Sequence, residues 1–507
     1  MAETGAMALA QAGDRYLSQG LFGESLLSYQ QALQLEPTNI YWRFLAGECL
    51  FHLERFADAV ALLTNLSPGE DAVLAREIAM TLGRAQQAMG LKDQAEANLL
   101  KAFVLDPTNE QTAYNLAVFY EQEKLPVQAV QFLKPSAAIH PQSVPLHFNL
   151  GTNLMQCGST AQAIEALEAT LELSPGHIRA HQNLALGYLQ IGLLSEGWKH
   201  YAWRFNRHEA EGKPANWQPR TPELPDDLEG REICIHGEQG IGDELFFMRF
   251  LPVLIRRGAK VIYLPCNPKL GPLLEPLQAH GLFTLRTTDS AATTNAIHLY
   301  AADLPLALGA ANAIDYPSAV PLQPDASLCD AWQQKFPMLS GSRPRLGITW
   351  RAGTQHAYGD DDPNRWLSKS VPLEALMDAL VPLNADIIVM QRNPSDEELQ
   401  YVRSRVGAER YLDASQCGDD LAALLALLAC LDSLVGVSNT NVHLFAGLGK
   451  SGHVLVPVPY EFRWQQEDDT SPWFPEFSVY RQCPITGWGK PMAQLTSALG
   501  SAFSKAA

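Results

Sequence analysis

Three short stretches carry residue types that could do chemistry. In GEQGIGDELFF, Gly237 to Phe247, three glycines and three acids follow the apolar run Ile233-Cys234-Ile235. Glycines at a strand end let a backbone come close to something, often a phosphate, yet carboxylates are poor company for phosphate. Asp243 stands where a helical pattern begins, so one role open to it is capping free N–H groups, worth about 1 kcal/mol. Glu238 and Glu244 read as solvated or orienting, with Glu238 a reserve base. In LGITWRAGT, Leu346 to Thr354, a strand runs into a small-residue turn. Arg351 and the N–H groups near Gly353 and Thr354 suit an anion, unless Arg351 is an ordinary surface arginine. In VGVSNTNVHLFAGLGK a strand meets Ser438-Asn439-Thr440-Asn441 just before a helix. Small polar residues there offer hydroxyls, amides and N–H groups to an anion, or simply cap the helix with His443 packed on it.

These stretches need elements to hold them. From residue 231 onward, short apolar strands alternate with helices. The expected strands are Glu232–His236, Lys260–Leu264, Leu282–Arg286 and Ala296–Leu299. After a break at LSGSRPR come Leu346–Trp350, Asp386–Met390, Arg410–Asp413, Leu434–Val437 and Gly452–Val458. Alternation of this kind predicts parallel sheets with ligands at the strand C-termini. Two such halves, 231–340 and 341–507, would face each other across a cleft.

The first 205 residues repeat with a period of about 34 residues. Pairs ending in a small residue recur at Ala12-Gly13, Ala46-Gly47, Leu82-Gly83, Leu116-Ala117, Leu150-Gly151 and Leu184-Ala185. Turn glycines follow at Gly20, Gly90, Gly158 and Gly192, and prolines close units at Pro37, Pro107, Pro141 and Pro175. Small residues let two helices approach, glycine permits the turn, and proline ends the second helix. The pattern resembles about six tetratricopeptide repeats. Pro126 and Pro135 predict a short second helix in the fourth, and the second unit degrades after Ala59. Trp198, Tyr201 and Trp203 would cap the solenoid. Such a solenoid offers a groove for extended peptide, or a spacer or dimerisation surface. Residues 206–230, with Pro214, Pro219, Pro222 and Pro225, read as a linker.

The segment Gly237–Pro252, with LGITWRAGT, LVGVSNTNVHLFAGLGK and RWQQEDDTSPWFPEFSVYRQ, resembles bacterial tetratricopeptide-repeat proteins bearing a GT-B glycosyltransferase module. That module is similar to the lipopolysaccharide heptosyltransferases and distantly to the O-GlcNAc transferases. The resemblance implies an α-helical repeat solenoid followed by a GT-B fold and an inverting, metal-independent sugar transfer from a nucleotide-sugar. Asp243 would be the general base. Gly240, Gly242 and His298 would line the acceptor side. Arg351, Gly353, Thr354, Lys369, Ser438, Asn439, Thr440 and His443 would meet the donor. Lys369 precedes the Ser-x-Pro-Leu pattern and, with Arg365, supplies cations for a departing diphosphate. The family's Asp-Thr pair is Ser438-Asn439 here, which removes a charge. The acceptor is expected to be a protein hydroxyl recruited by the repeats. A cell-surface glycan transferase and a scaffold with a decayed module stay open.

Composition narrows the classes further. The 507 residues are 47% hydrophobic and 18% charged, with a net charge of −18. Large cores are available, and no basic face announces nucleic acid or anionic membrane. Eight cysteines occur singly without zinc spacing, which reads as reduced, mostly buried thiols and a cytoplasmic location; the resemblance implies a nucleotide-sugar co-substrate with no cofactor and no bound metal. The run Asp360-Asp361-Asp362 could suggest Mg²⁺, but adjacent acids in a loop are usually solvated. The longest apolar run, Leu421 to Leu431, is too short to span a bilayer. Trp464, Trp473 and Phe474 are expected to pack the domain closure.

Overall fold

The structure is a computed structural model that describes residues 2–204, 223–286, 296–309, 316–352, 369–466 and 469–506. Gly353, Thr354, Asp360–Asp362, Arg365 and most of the expected linker lie outside the described residues. The chain divides into two compact units, 1–154 with 165–174, and 155–164 with 175–507.

The helical region alternates paired helices as the repeats require. The pairs are Ala2–Ser18 with Phe22–Leu35, Ile40–His52 with Phe56–Leu63, and Ala72–Ala88 with Lys92–Leu105. Next come Glu110–Gln122 with Pro126–Ile139, Val144–Gln156 with Thr160–Leu173, and Ile178–Gln190 with Leu194–Tyr201. The small residues are the contact points. A Cβ on Gly47 would lie 2.5 Å from Leu63, and one on Gly83 2.7 Å from Leu99. Gly20, Gly90, Gly158 and Gly192 adopt φ of 73–80° in the turns. In the second and fourth pairs Glu54 and Lys124 take the same slot, at φ 59° and 60°. The fourth pair's second helix is not short: Pro126–Ile139 runs 14 residues. Pro126 sits at the helix start, where its missing N–H costs nothing, and Pro135 is carried inside the helix. Short second helices occur instead in the second pair, Phe56–Leu63 with 8 residues, where the repeat pattern fades, and in the sixth, Leu194–Tyr201 with 8.

The second unit holds two parallel sheets. The first comprises β1 (Glu232–His236), β2 (Lys260–Leu264), β3 (Thr284–Leu285) and β4 (Ile297–Tyr300), in the order β3-β2-β1-β4. The second comprises β5 (Arg345–Ile348), β6 (Asp386–Val389), β7 (Tyr411–Asp413), β8 (Ser433–Val437), β9 (Gly452–Val456) and β10 (Phe477–Arg481). Its order, β10-β9-β8-β5-β6-β7, is that of a doubly wound dinucleotide-binding sheet. The expected strands all form, most trimmed by a residue or more at the ends, and β10 is additional.

One buried cluster joins the helices of both sheets. It contains Phe246, Phe247 and Phe250 after β1, Leu424 and Leu428 before β8, and Phe462, Trp464, Trp473 and Phe474. The last helix pair contributes to it. Trp198 is 2% exposed and meets Phe247, Phe462 and Trp473 edge-on. It therefore ends the repeats by docking on the α/β core rather than by covering them against solvent. Leu228, at the end of the expected linker, is buried in the same cluster.

Candidate functional site

Each sheet has one switch point, where the chain's windings diverge and a crevice opens at the strand C-termini. In the first sheet it lies between β1 and β4, and in the second between β5 and β8. The loop after β1 enters the helix Ile241–Phe247, and the loop after β8 enters the helix Thr440–Gly447. These helices meet at their first turns. A Cβ on Gly242 would stand 3.1 Å from His443 Cδ2 and 3.8 Å from Thr440 Cα. Only glycine at 242 leaves that approach unobstructed.

The glycines after β1 hold carboxylates rather than phosphate. A Cβ on Gly237 would fall 1.9 Å from Glu244 Oε2 and 2.6 Å from the Cys266 nitrogen. Glu244 is fully buried and accepts from Tyr263 Oη at 2.9 Å, Cys266 N at 3.0 Å and Asn267 N at 3.2 Å. Burial raises its pKa against those donors. Glu238 is buried too. Its carboxylate takes both arms of Arg204, at 2.8 and 2.6 Å, and the Ala302 N–H at 3.1 Å. Arg204 also reaches Asp303 at 2.9 Å. Burial alone would lower the arginine, but the two carboxylates outweigh it and raise its pKa. Neither glutamate is solvated, and Glu238 is a structural anchor rather than a reserve base. The desolvation each would suffer unpaired explains why every oxygen has a donor.

Asp243 occupies the meeting point. Its Oδ2 accepts from the Gly240 N–H at 3.2 Å, and its Oδ1 pairs with Arg463. It thus caps its own helix while facing the second sheet. Arg463 is 4% exposed and also pairs with Glu461. Lys369 lies 3.5 Å from the same glutamate. Burial would raise Glu461, but Arg463 and Lys369 outweigh it and bring its pKa down to about 2. Ser438 Oγ is buried beside Glu461 and helps hold it low, though the pair falls outside hydrogen-bond geometry. Arg249, 1% exposed, lies on the Phe246 ring and donates to the Trp473 carbonyl at 2.7 Å. Burial, then Arg463, depresses its pKa. Among these described groups, three cations oppose two carboxylates.

His443 is buried against Gly242 and Phe474, and burial, followed by Arg463, drives its pKa well below the usual histidine value. It is neutral at pH 7. Asn439 caps its helix through Asn441 N at 3.0 Å, and its amide donates to Thr349 Oγ1 at 2.8 Å. That bond ties the β8 loop to the end of β5. Thr440 opens the helix. The Arg351 guanidinium is engaged elsewhere: it pairs with Glu398 and donates to the Asn393 carbonyl at 2.8 Å. Its role there is to hold the β5 loop to the Asp396–Val406 helix. Beyond Lys369, a cavity of about 390 Å³ is lined by Ser370, Pro372, Pro457, Val458, Gln482 and Trp488. His298 lies on β4, with Nδ1 2.9 Å from His236 Nε2 on β1.

Sequence reasoning misses Glu461, Arg463 and Arg249. The signal is present in YEFRW and FFMRF: a charge inside an aromatic run is buried with its neighbours and must find partners there.

The family models that match lie in the helical region. The tetratricopeptide repeat family matches residues 11–66 and 144–177. Protein FlbA of Caulobacter vibrioides is 24% identical over 329 residues, which is 61% of this chain. The match spans 53% of that relative, about half its length. Similar solved structures include MamA of AMB-1, 25% identical with a TM-score of 0.30, over 34% of this chain and 93% of that one. YrrB, described as a TPR protein with an unusual peptide-binding site, is 18% identical with a TM-score of 0.29, over 32% and 81%. MamA of Desulfovibrio magneticus RS-1 is 16% identical with a TM-score of 0.30, over 34% and 96%. At these scores the fold of the chain rests on its own helices. Among the described residues, no helix is long and apolar enough to cross a membrane.

Proposed function

We propose that the α/β half is a GT-B glycosyltransferase module that moves a sugar from a nucleotide-sugar to an acceptor hydroxyl, with inversion and without metal. One observation carries this reading: Asp243 from the first sheet and Lys369, Arg463, Ser438 and the Thr440 helix start from the second converge at two switch points. The acceptor enters from the β1–β4 side, past Gly240, Gly242 and His298. Asp243 takes the hydroxyl proton on a lone pair not used by Gly240 or Arg463, since each carboxylate oxygen has two. The attacking oxygen displaces the diphosphate in line. The Lys369 ammonium and the N-terminus of the Thr440–Gly447 helix receive the negative charge that develops on the leaving group. Neutral His443 fills the floor and keeps water out. The repeats recruit the acceptor, a protein carrying the hydroxyl.

The test is release of nucleotide diphosphate by the purified full chain given sugar nucleotides, with and without candidate acceptor proteins. Turnover should fall about 10²-fold or more in Asp243→Asn while nucleotide binding persists. Unchanged turnover in that variant removes Asp243 as the base. A second reading, a repeat scaffold with an inactive module, draws on Arg351, which is spent on Glu398, and on Ser438 standing where the similar family has an acid. Absence of both nucleotide binding and release would favour it. Transfer to a cell-surface glycan instead of protein would keep the chemistry and reassign the acceptor.

A further inference from the structure

The strand pair at the first switch point carries three metal-ligating side chains on one face. Cys234 and His236 are two apart on β1, so they point to the same side of the sheet. His298 on β4 is the register partner of Cys234. The Cys234 sulfur is 3.8 Å from His236 Nε2, which is 2.9 Å from His298 Nδ1. All three ligand atoms lie within 4.8 Å of one another. Tetrahedral zinc, with bonds of about 2.0–2.1 Å to nitrogen and about 2.3 Å to sulfur, separates two nitrogens by roughly 3.3 Å and nitrogen from sulfur by roughly 3.6 Å. The Cys234–His236 and His236–His298 separations differ from those by a few tenths of an ångström, and the Cys234–His298 separation, within 4.8 Å, closes by side-chain rotation.

We propose that Cys234, His236 and His298 form a three-ligand Zn²⁺ site at the β1–β4 switch point, with the fourth position left to water or a bound ligand. The donor set suits zinc: one thiolate and two imidazoles, borderline-soft and without carboxylate. The sheet backbone fixes the ligands. Cys234 is 1% exposed at the inner end of the group, whereas His298 is exposed at the outer end, so the open position faces outward. On binding, the Cys234 thiol gives up one proton to solvent. The proton between His236 Nε2 and His298 Nδ1 moves to a distal ring nitrogen, so each imidazole coordinates as a neutral ligand. The metal replaces the histidine–histidine hydrogen bond as the link between β1 and β4. The site shares His298 with the proposed acceptor path, but its metal takes no part in the sugar transfer, and its test reads metal binding rather than turnover.

Cobalt titration of the chelator-stripped full chain tests it. One equivalent of Co²⁺ should produce the strong visible bands of a four-coordinate site and a thiolate-to-metal band in the near ultraviolet. Zn²⁺ should displace it and raise the melting temperature. Cys234→Ser should lose the near-ultraviolet band. His298→Ala, an exposed change that leaves the apo far-ultraviolet circular dichroism unaltered, should weaken binding at least tenfold. Cys266→Ser, at an exposed cysteine outside the group, should change nothing. The proposal is overturned if no such bands form, or if they persist unchanged in both Cys234→Ser and His298→Ala.

Discussion

Gly237 shows how a residue read as a ligand-binding glycine is fixed by a neighbour instead. Its missing Cβ makes room for the Glu244 carboxylate, which binds the backbone after β2. Gly237→Ala should therefore destabilise the chain by about 1–3 kcal/mol through overpacking, measured by urea denaturation. A Gly237→Ala/Glu244→Gln pair would not restore it, because the amide is as large as the acid. The Arg204 contact is a second case at this scale. Arg204→Ala leaves Glu238 and Asp303 buried without their cation and should cost about 3–5 kcal/mol. A cost below 1 kcal/mol would mean that the two acids reach water. Asp243 was legible as a helix-start carboxylate at a strand end. Its arginine was not, because Arg463 lies 220 positions away in sequence and only the pairing of two sheets brings it near.

The elements were legible where pattern and environment agree. Buried central strands such as β5, β6 and β8 read as short apolar runs, as parallel strands covered on both faces do. The edge strand β10 did not: Phe477-Ser478-Val479-Tyr480-Arg481 mixes apolar and polar residues, and among the described residues it pairs with β9 on one side only. In the repeats, the turn position is occupied by glycine where the spacing shows it and by Glu54 or Lys124 where it does not. A left-handed conformation costs a non-glycine residue about 1–2 kcal/mol, partly offset by glycine's greater freedom in the unfolded chain. Lys124→Gly should thus raise stability by about 0.5–1 kcal/mol, read from the denaturation midpoint. A loss of stability would show that the Lys124 side chain contributes more than its backbone costs. The full-length Pro126–Ile139 helix shows the limit of breaker rules, since a proline at the first position is compatible with the helix and one inside was tolerated.

Among the described residues, the histidines whose pKa burial lowers all lie in the second unit. Burial lowers the pKa of His177, His181 and His443, and takes His200 and His453 to about 4. Each has a folded pKa below its unfolded value near 6.5, so the unfolded chain binds more protons between the two. Stability is complete above about pH 6.5 and falls as the pH drops toward the folded values. For wholly buried His443 the slope is about 1.4 kcal/mol per pH unit. Glu461, with its folded pKa near 2, adds a loss only below its unfolded value of 4.5. Glu244 works the other way, since burial raises it and its cost is relieved as the pH falls. Tryptophan fluorescence should report the trend, because every tryptophan except Trp42 belongs to that unit. The urea midpoint should fall between pH 7.5 and 5.5. A midpoint that is constant or higher at pH 5.5 would contradict the burial of these imidazoles.

The central claim is that the junction of the two sheets binds a nucleotide diphosphate. Its most direct test is a thermal-shift titration of the full chain with a panel of nucleoside diphosphates and sugar nucleotides, alongside Lys369→Ala. At least one nucleotide should raise the melting temperature of the wild type in a saturable way, since a ligand of the folded state stabilises it by mass action. Lys369→Ala should shift that titration to at least tenfold higher ligand. A flat response to every nucleotide, or equal shifts in the wild type and Lys369→Ala, would contradict the claim.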